Sequence, residues 1–209
     1  MRMRNNSNAQ NELIAFTKYI DNKENLKEII KGKKVNLEIG MGKGQFIANM
    51  ALQNKDEIFI GVELCKSVLA LAIKKIKRFE EENNVKLNNL YLMSFDAITI
   101  TEFFDKDDID TLFLNFSDPW PKNRHSKRRL THENFLKEYV KVIKKGGYIR
   151  FKTDNIKLFE FSLTSINNFG LKFQEVYLNL HNTNVLNVKT EYEEKFSKYG
   201  PIYMLICKI

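Results

Sequence analysis

Five predicted strands end in residues that could bind a ligand. The first leads into a glycine loop, Gly40–Gly44, and the other four end in an acid: Glu63, Asp96, Asp118 and Asp154. Parallel α/β sheets bind their ligands beyond the carboxyl ends of the strands. A carboxylate at such a position can accept hydrogen bonds from hydroxyl and amino groups, or stabilise a positive charge. The pattern therefore predicts a ligand site along one edge of a parallel sheet.

The glycine loop favours a cationic ligand over a dinucleotide. Gly40, Gly42 and Gly44 allow a tight turn and close approach of a ligand between a strand and a helix. A dinucleotide pattern has its third glycine at position 45, where this chain has Gln45. Glu38 would repel a pyrophosphate at the helix N-terminus, which disfavours a nicotinamide-dependent oxidoreductase. S-adenosylmethionine carries a sulfonium and an ammonium and no phosphate, so it fits better.

Two further acids suit an adenosine cofactor. Glu63 follows the glycine loop by about 20 residues, the distance at which an acid meets ribose hydroxyls. Asp96 follows the third predicted strand and could accept from the adenine amino group. Together with the glycine loop, these acids predict the cofactor half of an active site.

The segment LFLNFSDPWPKNRHSKRRL joins an apolar strand to a stiff turn and a basic run. Pro119 and Pro121 fix the backbone and remove N–H donors. Trp120, the chain's only tryptophan, could stack on a nucleotide or serve as a packing anchor. Because the basic run follows an acid at a strand end, we interpret it as an RNA contact. Its predicted RNA-binding residues are Arg124, His125, Ser126, Lys127, Arg128 and Arg129.

Strands alternate with helices in the way that predicts an α/β fold. We expect Thr131 to cap a helix that ends at Lys144–Gly147, before a strand over Tyr148–Thr153. The other predicted strands are Val35–Gly40, Ile58–Glu63, Leu90–Phe95, Asp110–Phe116, Phe173–Leu178 and Ile202–Cys207, with further helices over residues 44–52, 65–82 and 156–167.

The net charge leaves two interpretations open: an anionic partner such as nucleic acid, or a solvated, lysine-rich surface. The 209 residues include 34 Lys and Arg against 26 Asp and Glu, a net charge of +8. Cys65 and Cys207 lie far apart in apolar surroundings, which predicts neither a disulfide framework nor a metal site and favours the cytoplasm. No apolar run is long enough for a membrane span. We predict a flexible polar arm over residues 1–12 and a single catalytic domain over residues 13–209.

Five motifs resemble the tRNA (guanine-N7)-methyltransferases, the TrmB family of class I S-adenosylmethionine-dependent methyltransferases. They are EIGMGKG, GVEL, NFSDPWPKNRHSKRRL, RFKTDN and TEYEEKF. The resemblance implies a Rossmann-like fold, with a mostly parallel sheet of about seven strands and helices on both faces. It also implies methyl transfer from S-adenosylmethionine to N7 of guanosine at position 46, in the variable loop of tRNA. The implied enzyme works as a monomer or homodimer without a metal.

The resemblance also assigns roles to residues. It implies that Asp118 is the catalytic carboxylate, and either Asp154 or Glu193 could read the guanine edge. Two other functions stay open: methylation of an exocyclic amine of a base, and RNA binding without catalysis. The implied cofactor-binding residues are Glu38, Gly40, Gly42, Gly44, Glu63, Asp96, Ala97 and Asp118, and the implied substrate-binding residues are Lys122, Asp154, Thr190, Glu191, Tyr192 and Glu193.

Overall fold

A computed structural model describes residues 9–209 of the chain. Its seven strands form a mostly parallel sheet accompanied by helices, so the predicted α/β fold class is confirmed. The described residues divide into two compact units, residues 9–96 and 97–209. Among the described residues, no helix is long and apolar enough to cross a membrane.

The first unit contains three parallel strands in the order β3-β2-β1. Every residue of β1 and β2 is buried, as expected of parallel strands covered on both faces. The strands are β1 (Val35–Ile39), β2 (Ile58–Val62) and β3 (Leu90–Met93), and the helices are α1 (Ala9–Ile14), α2 (Lys23–Ile30), α3 (Gln45–Gln53) and α4 (Lys66–Glu82).

Helical periodicity correctly predicts α4. Its buried residues recur at three- and four-residue spacing, and they meet Leu13 and Phe16 from the segment at the start of the unit. The predicted N-terminal arm differs in part, because residues 9–12 belong to α1 while residues 1–8 lie outside the described residues. The single domain over residues 13–209 stays a prediction.

The second unit contains four strands in the order β4-β5-β7-β6. β4 and β5 are parallel, whereas β7 runs antiparallel to both β5 and β6. The strands are β4 (Ile109–Asn115), β5 (Ile143–Thr153), β6 (Lys172–Tyr177) and β7 (Tyr203–Lys208); the α-helices are α5 (Ile100–Phe103), α6 (Glu133–Val142), α7 (Ile156–Phe169) and α8 (Glu191–Phe196); and short 3₁₀ helices span Ala97–Thr99, Asn123–Arg128, Leu180–Asn182 and Ser197–Tyr199.

Two predictions around α6 are wrong. His132, not Thr131, caps this helix, and its side chain accepts a hydrogen bond from the backbone N–H of Asn134. The Thr131 hydroxyl is instead buried against the hydroxyl of Ser162, 2.7 Å away. The polar pair thus satisfies two buried hydroxyls, and the histidine takes over the cap.

The predicted helix end at residues 144–147 lies within β5. The helix ends at Val142, and Ile143 already pairs with Ile109 of β4. Gly146 has a positive φ of 86°, and a Cβ on Gly147 would lie 2.7 Å from the carbonyl oxygen of Asp110. The two glycines therefore permit an irregular stretch of strand that passes close to its neighbour.

We predict that Gly147→Ala lowers the free energy of unfolding by about 1–3 kcal/mol, because the added methyl group would meet backbone atoms. Gly200→Ala is the matched control, since nothing lies within 4 Å of its Cβ position and its φ of 176° is extended backbone. Urea denaturation of both variants measures the difference. Equal losses of stability would contradict the proposed close approach at Gly147.

Candidate active site

The glycine loop of the first unit turns on three left-handed residues. Gly40, Gly42 and Gly44 have φ values of 75°, 56° and 79°, which side chains rarely adopt. The backbone N–H groups of Gly40 and Met41 both donate to the carbonyl oxygen of Val62, at 2.9 and 3.0 Å. No atom lies within 4 Å of a Cβ built on Gly40 or Gly42. The loop is therefore tied to the end of β2 and leaves open space beside two of its glycines.

Gly44 has a different task. It caps α3, and a Cβ at this position would lie 3.2 Å from the side chain of Ile76 on α4. The third glycine therefore allows two helices to pack closely. Gly61 allows a similarly close contact between β2 and the glycine loop, because a Cβ at this position would overlap the sulfur of Met41. The sequence prediction did not include this second contact.

Glu63 joins the glycine loop to the end of β2. Its carboxylate accepts hydrogen bonds from the backbone N–H of Gly42, at 3.2 Å, and of Cys65, at 3.0 Å. Glu38 is only 1% exposed within β1, whereas Asp96 is exposed beyond β3. The first unit thus brings Gly42 and Glu63 together as the sequence predicts, and it places Glu38 in the interior.

In the second unit, the turn after β4 carries two strained residues. Phe116 and Trp120 have φ values of 50° and 43°, in the left-handed region that costs a residue other than glycine about 1–2 kcal/mol. The backbone N–H of Phe116 donates to the carbonyl oxygen of Lys152 on β5, at 2.8 Å. Asp118 is exposed within this turn. Ala97, predicted beside the cofactor, is buried at the start of the unit's first 3₁₀ helix.

The buried side chain of Arg129 stabilises the turn after β4. Its guanidinium donates to the carbonyl oxygens of Pro119 and Trp120, at 3.1 and 3.0 Å. It also lies 4.4 Å from the ring centroid of Phe161 on α7, and the residue is only 8% exposed. These contacts give Arg129 a role within the protein that its position in a basic run did not reveal.

The rest of the basic run faces solvent more openly. Lys122, Arg124, Lys127 and Arg128 are exposed, and His125 and Ser126 are half-buried, in and beside the 3₁₀ helix Asn123–Arg128. The Arg128 guanidinium lies 4.8 Å from the ring centroid of Trp120, and the His125 ring meets the same ring edge-on at 5.8 Å. Trp120 therefore packs between two members of the run.

Asp154 and Tyr192 are brought together. The Tyr192 hydroxyl donates to the Asp154 carboxylate at 2.9 Å, and both residues are exposed. Burial and this hydrogen bond raise the pKa of the Tyr192 phenol, so the hydroxyl keeps its proton at neutral pH. Asp154 is thus held at the end of β5 with carboxylate lone pairs facing solvent.

Glu193 lies in the interior instead. The residue is 0% exposed, and its carboxylate lies 2.7 Å from the ammonium of Lys152 on β5. The side chains of His181 and Asn187 also contact the carboxylate. Burial would raise the pKa of Glu193, but the Lys152 charge and the hydrogen bonds from Lys152, His181 and Asn187 lower it below the ordinary value. Glu193 is therefore ionised and already surrounded by partners from its own chain.

The motif TEYE begins α8. Thr190 is the N-cap, and its hydroxyl accepts from the backbone N–H of Glu193 at 3.0 Å. This spacing is that of a capping box, in which the glutamate side chain would return to the cap. Here that side chain points to Lys152, while Glu191 pairs with Lys195 along the helix surface. The predicted substrate residues of this motif thus divide between the helix cap, the interior and the surface.

Sequence reasoning missed Lys152, His181 and Asn187. Lys152 carried a usable signal, because it is a charged residue in the apolar segment IRFKT. His181 and Asn187 lie between β6 and α8, outside any motif, and nothing in the sequence connects them with Glu193. Their contacts with Glu193 depend on the path of the chain between β6 and α8, which the sequence does not reveal.

Comparison with known proteins identifies close relatives. The sequence model of a family described as "Putative methyltransferase" matches residues 32–204. The tRNA (guanine-N(7)-)-methyltransferase of Bacillus subtilis is 49% identical over 198 residues, which cover 93% of this chain and 90% of that protein. The enzyme of the same name from Lactiplantibacillus plantarum is also 49% identical, over 85% of this chain and 81% of that protein.

Solved structures of methyltransferases share the fold. The structure of an antibiotic-related methyltransferase has a TM-score of 0.67 at 18% identity, covering 91% of this chain and 96% of that one. The 16S rRNA methyltransferase KamB has a TM-score of 0.66 at 13% identity, covering 91% and 94% of the two chains. These likenesses confirm the predicted Rossmann-like methyltransferase fold.

We predict that Lys152→Met lowers the free energy of unfolding by about 3–5 kcal/mol, because it leaves the Glu193 carboxylate buried beside no cation. The double variant Lys152→Met/Glu193→Gln should lose less than Lys152→Met alone. Lys195→Met is the matched control, because it breaks an exposed pair with Glu191 and should cost at most about 1 kcal/mol. Urea denaturation compares them, and equal losses for Lys152→Met and Lys195→Met would contradict the role of burial.

Acid provides a second measurement of the same pair. Because the pKa of Glu193 is lowered, its contribution is complete above the ordinary value of 4.5 and is lost as the pH falls through the lower folded-state value. The stability difference between the parent protein and Glu193→Gln should therefore shrink between about pH 7 and about pH 3. A difference that does not change with pH would contradict the lowered pKa.

Proposed function

This chain belongs to the tRNA (guanine-N(7)-)-methyltransferase family, and from that premise we propose that it methylates N7 of guanosine 46 in the variable loop of tRNA, with S-adenosylmethionine as methyl donor. The observation that carries the proposal is the 49% identity to a relative of that name, since the match covers 90% or more of both proteins. The proposed compartment is the cytoplasm.

The first unit supports the choice of methyl donor. Its glycine loop has open space beside Gly40 and Gly42, where a side chain is absent and the backbone can approach a ligand. Glu63 stands at the end of β2, and a carboxylate has lone pairs enough to accept from ribose hydroxyls besides its two backbone donors. When bound, S-adenosylmethionine supplies an electrophilic methyl group on a sulfonium. Gly40, Gly42, Glu63 and Asp96 are the residues we propose to hold it.

Methylation of guanine N7 does not require a general base. N7 carries an exposed lone pair on the Hoogsteen edge and needs no proton removed before it forms the new bond to carbon. The methylated ring is cationic, so a nearby carboxylate favours its formation. Asp118 is exposed on a turn made stiff by two prolines and by Arg129, which suits this task. We propose Asp118 as the catalytic carboxylate.

Asp154 is our choice for reading the guanine edge. It is exposed at the end of β5 and oriented by the Tyr192 hydroxyl, so its carboxylate can accept from guanine N1–H and N2–H. Glu193 would have to leave Lys152 and cross from the interior to do the same. We propose that Glu193 is a positioning residue that fixes α8 and, through it, Tyr192.

We predict that the protein converts guanosine 46 of unmodified tRNA to N7-methylguanosine, mapped by chemical cleavage at that base. Asp118→Ala should lower turnover by about 100-fold or more at an unchanged unfolding midpoint, because it removes the negative charge that we propose stabilises the cationic product ring. Glu160→Ala, which removes an exposed acid from α7, is the control. N6-methyladenosine as product would reject the proposed reaction, and near-normal turnover by folded Asp118→Ala would reject its catalytic role.

We predict different roles for two cations of the basic run, Lys127 and Arg129. Lys127→Ala should weaken tRNA binding, because Lys127 is exposed and can meet a phosphate. The slope of log Kd against log salt should fall by the amount that one phosphate contact contributes. Arg129→Ala should lower the free energy of unfolding and leave that slope unchanged, because Arg129 holds carbonyl oxygens of the turn.

Lys172→Ala removes an equal charge from the exposed face of β6 and serves as the control for both variants. Binding is measured by fluorescence anisotropy over a range of salt concentrations. A reduced slope for Arg129→Ala, or an unchanged slope for Lys127→Ala, would contradict this division of roles.

A further inference from the structure

Four aromatic rings of the second unit form a continuous row. The centroids of Phe116 and Tyr192 are 5.1 Å apart, those of Tyr192 and Phe196 are 4.4 Å apart, and those of Phe196 and Tyr199 are 6.3 Å apart. We call Phe116, Tyr192, Phe196 and Tyr199 the aromatic row. Neighbouring rings are tilted by 30° to 47°, so no pair in the row is a face-to-face sandwich.

One end of the row is anchored and the other lies in solvent. Phe116 packs against a buried cluster that includes Leu180 and Ile202. Along the row the exposed fraction of the residues then rises, from 41% for Tyr192 and 42% for Phe196 to 73% for Tyr199. Core packing within this unit therefore explains why Phe116 is aromatic. It does not explain why aromatic residues occupy the exposed outer positions of the row.

The buried Glu193 fixes the direction of these rings. α8 places Glu193 towards Lys152, so Tyr192 and Phe196, which are four residues apart and lie on one helix face, are held at the surface. The two α8 rings of the row are thus oriented by a buried ion pair of the same chain. Exposed aromatic groups of this kind mark binding surfaces.

The inner end of the row coincides with the proposed substrate residues. Phe116 precedes Asp118 by two positions, and the Tyr192 hydroxyl donates to Asp154, our proposed reader of the guanine edge. A row that begins at the target base and continues outward is placed to meet the next bases along the same strand. At the outer end, the Lys198 ammonium lies 5.0 Å from the ring centroid of Tyr199, where a cation could meet a phosphate.

We propose that the aromatic row is a stacking surface for the unpaired RNA bases that flank the target guanosine, with Phe196 and Tyr199 as its binding residues. This inference rests on the proposed function. Single-stranded nucleic acid binds to aromatic side chains whose faces stack on successive bases, beside cations that follow the backbone. Stacking is tolerant of sequence because every base has an aromatic face. The row therefore adds affinity for the loop without selecting the identity of the flanking bases.

The test measures tRNA binding by variants of the outer rings. Phe196→Ala and Tyr199→Ala should each raise the Kd for unmodified tRNA about five- to tenfold or more, and Phe196→Leu, which keeps the apolar bulk without a ring, should raise it similarly. The slope of log Kd against log salt should not change, because no phosphate contact is removed. Tyr199→Phe should retain the affinity. Leu178→Ala, which trims an exposed apolar residue after β6, should bind as the parent does.

A double-mutant cycle identifies the bases. Synthetic tRNAs with an abasic nucleotide one or two positions from the target guanosine should bind more weakly to the parent protein. The same tRNAs should bind Tyr199→Ala or Phe196→Ala with little further loss, because the stacking partner is already gone. Independent losses at every flanking position would overturn the inference, as would a Kd for the alanine variants equal to that of the parent.

Two other outcomes separate this inference from its premise. If the parent protein binds tRNA but leaves N7 unmodified, the proposed reaction fails, while the Kd values and the cycle still measure stacking directly. If Phe196→Ala or Tyr199→Ala converts a dimer to a monomer in sedimentation and leaves the tRNA Kd unchanged, the row is an interface between copies of this chain. That second result would overturn the proposed RNA contact.

Discussion

An ammonium and a carboxylate lie 2.7 Å apart in the interior of the second unit, where Lys152 of β5 meets Glu193 of α8. Removing two such charges from water costs several kcal/mol each, and the cost is offset only when geometry and further hydrogen bonds are good. Both conditions hold here, because His181 and Asn187 also contact the carboxylate. A helix of six residues has little stability in isolation. The buried pair is therefore what fixes α8 to the sheet.

The surface groups of α8 take their positions from this pair. Thr190 closes the first turn by accepting from the N–H of Glu193, and the hydroxyl of Tyr192 on the same helix donates to Asp154. Asp154 and Tyr192, which we propose to meet the substrate, are thus held in place by Glu193, whose carboxylate is buried. Asp154 and Tyr192 can therefore be exposed and still keep a fixed orientation, since the buried Glu193–Lys152 pair holds α8 in place.

The sequence predicts the elements of this fold better than the contacts between them. Alternating strand-like and helical periodicity was enough for the α/β class and for α4, because these depend on local apolar spacing. The cap of α6 was mispredicted because Thr131 and His132 are adjacent and either can cap; only the buried Ser162 decides between them. Gly146 and Gly147 resemble a helix end, and their place inside β5 depends on the distant Asp110.

The candidate site shows the same limit. The glycine loop and Glu63 were predictable, because strand, turn and helix are consecutive in sequence and bring them together. Glu193 and Arg129 were not, because a charged residue in a polar motif or a basic run looks the same whether it faces solvent or the interior. In both cases the deciding partner is remote in sequence: Lys152 lies 41 positions from Glu193, and Phe161, which Arg129 contacts, lies on α7, beyond α6.

The two hydrogen bonds from Arg129 to the turn also affect what an approaching polyanion encounters. Carbonyl oxygens carry partial negative charge, and those of Pro119 and Trp120 belong to the loop that precedes the basic run. Because the guanidinium occupies both, their dipoles are turned toward a cation in the interior and are electrostatically quenched. The negative charge on the exposed side of the turn is therefore concentrated on Asp118, which is close in sequence to the cations of the basic run. In the proposed complex, Asp118 would repel the phosphate chain of the RNA and the neighbouring cations would attract it, which favours a base rather than a phosphate beside the carboxylate.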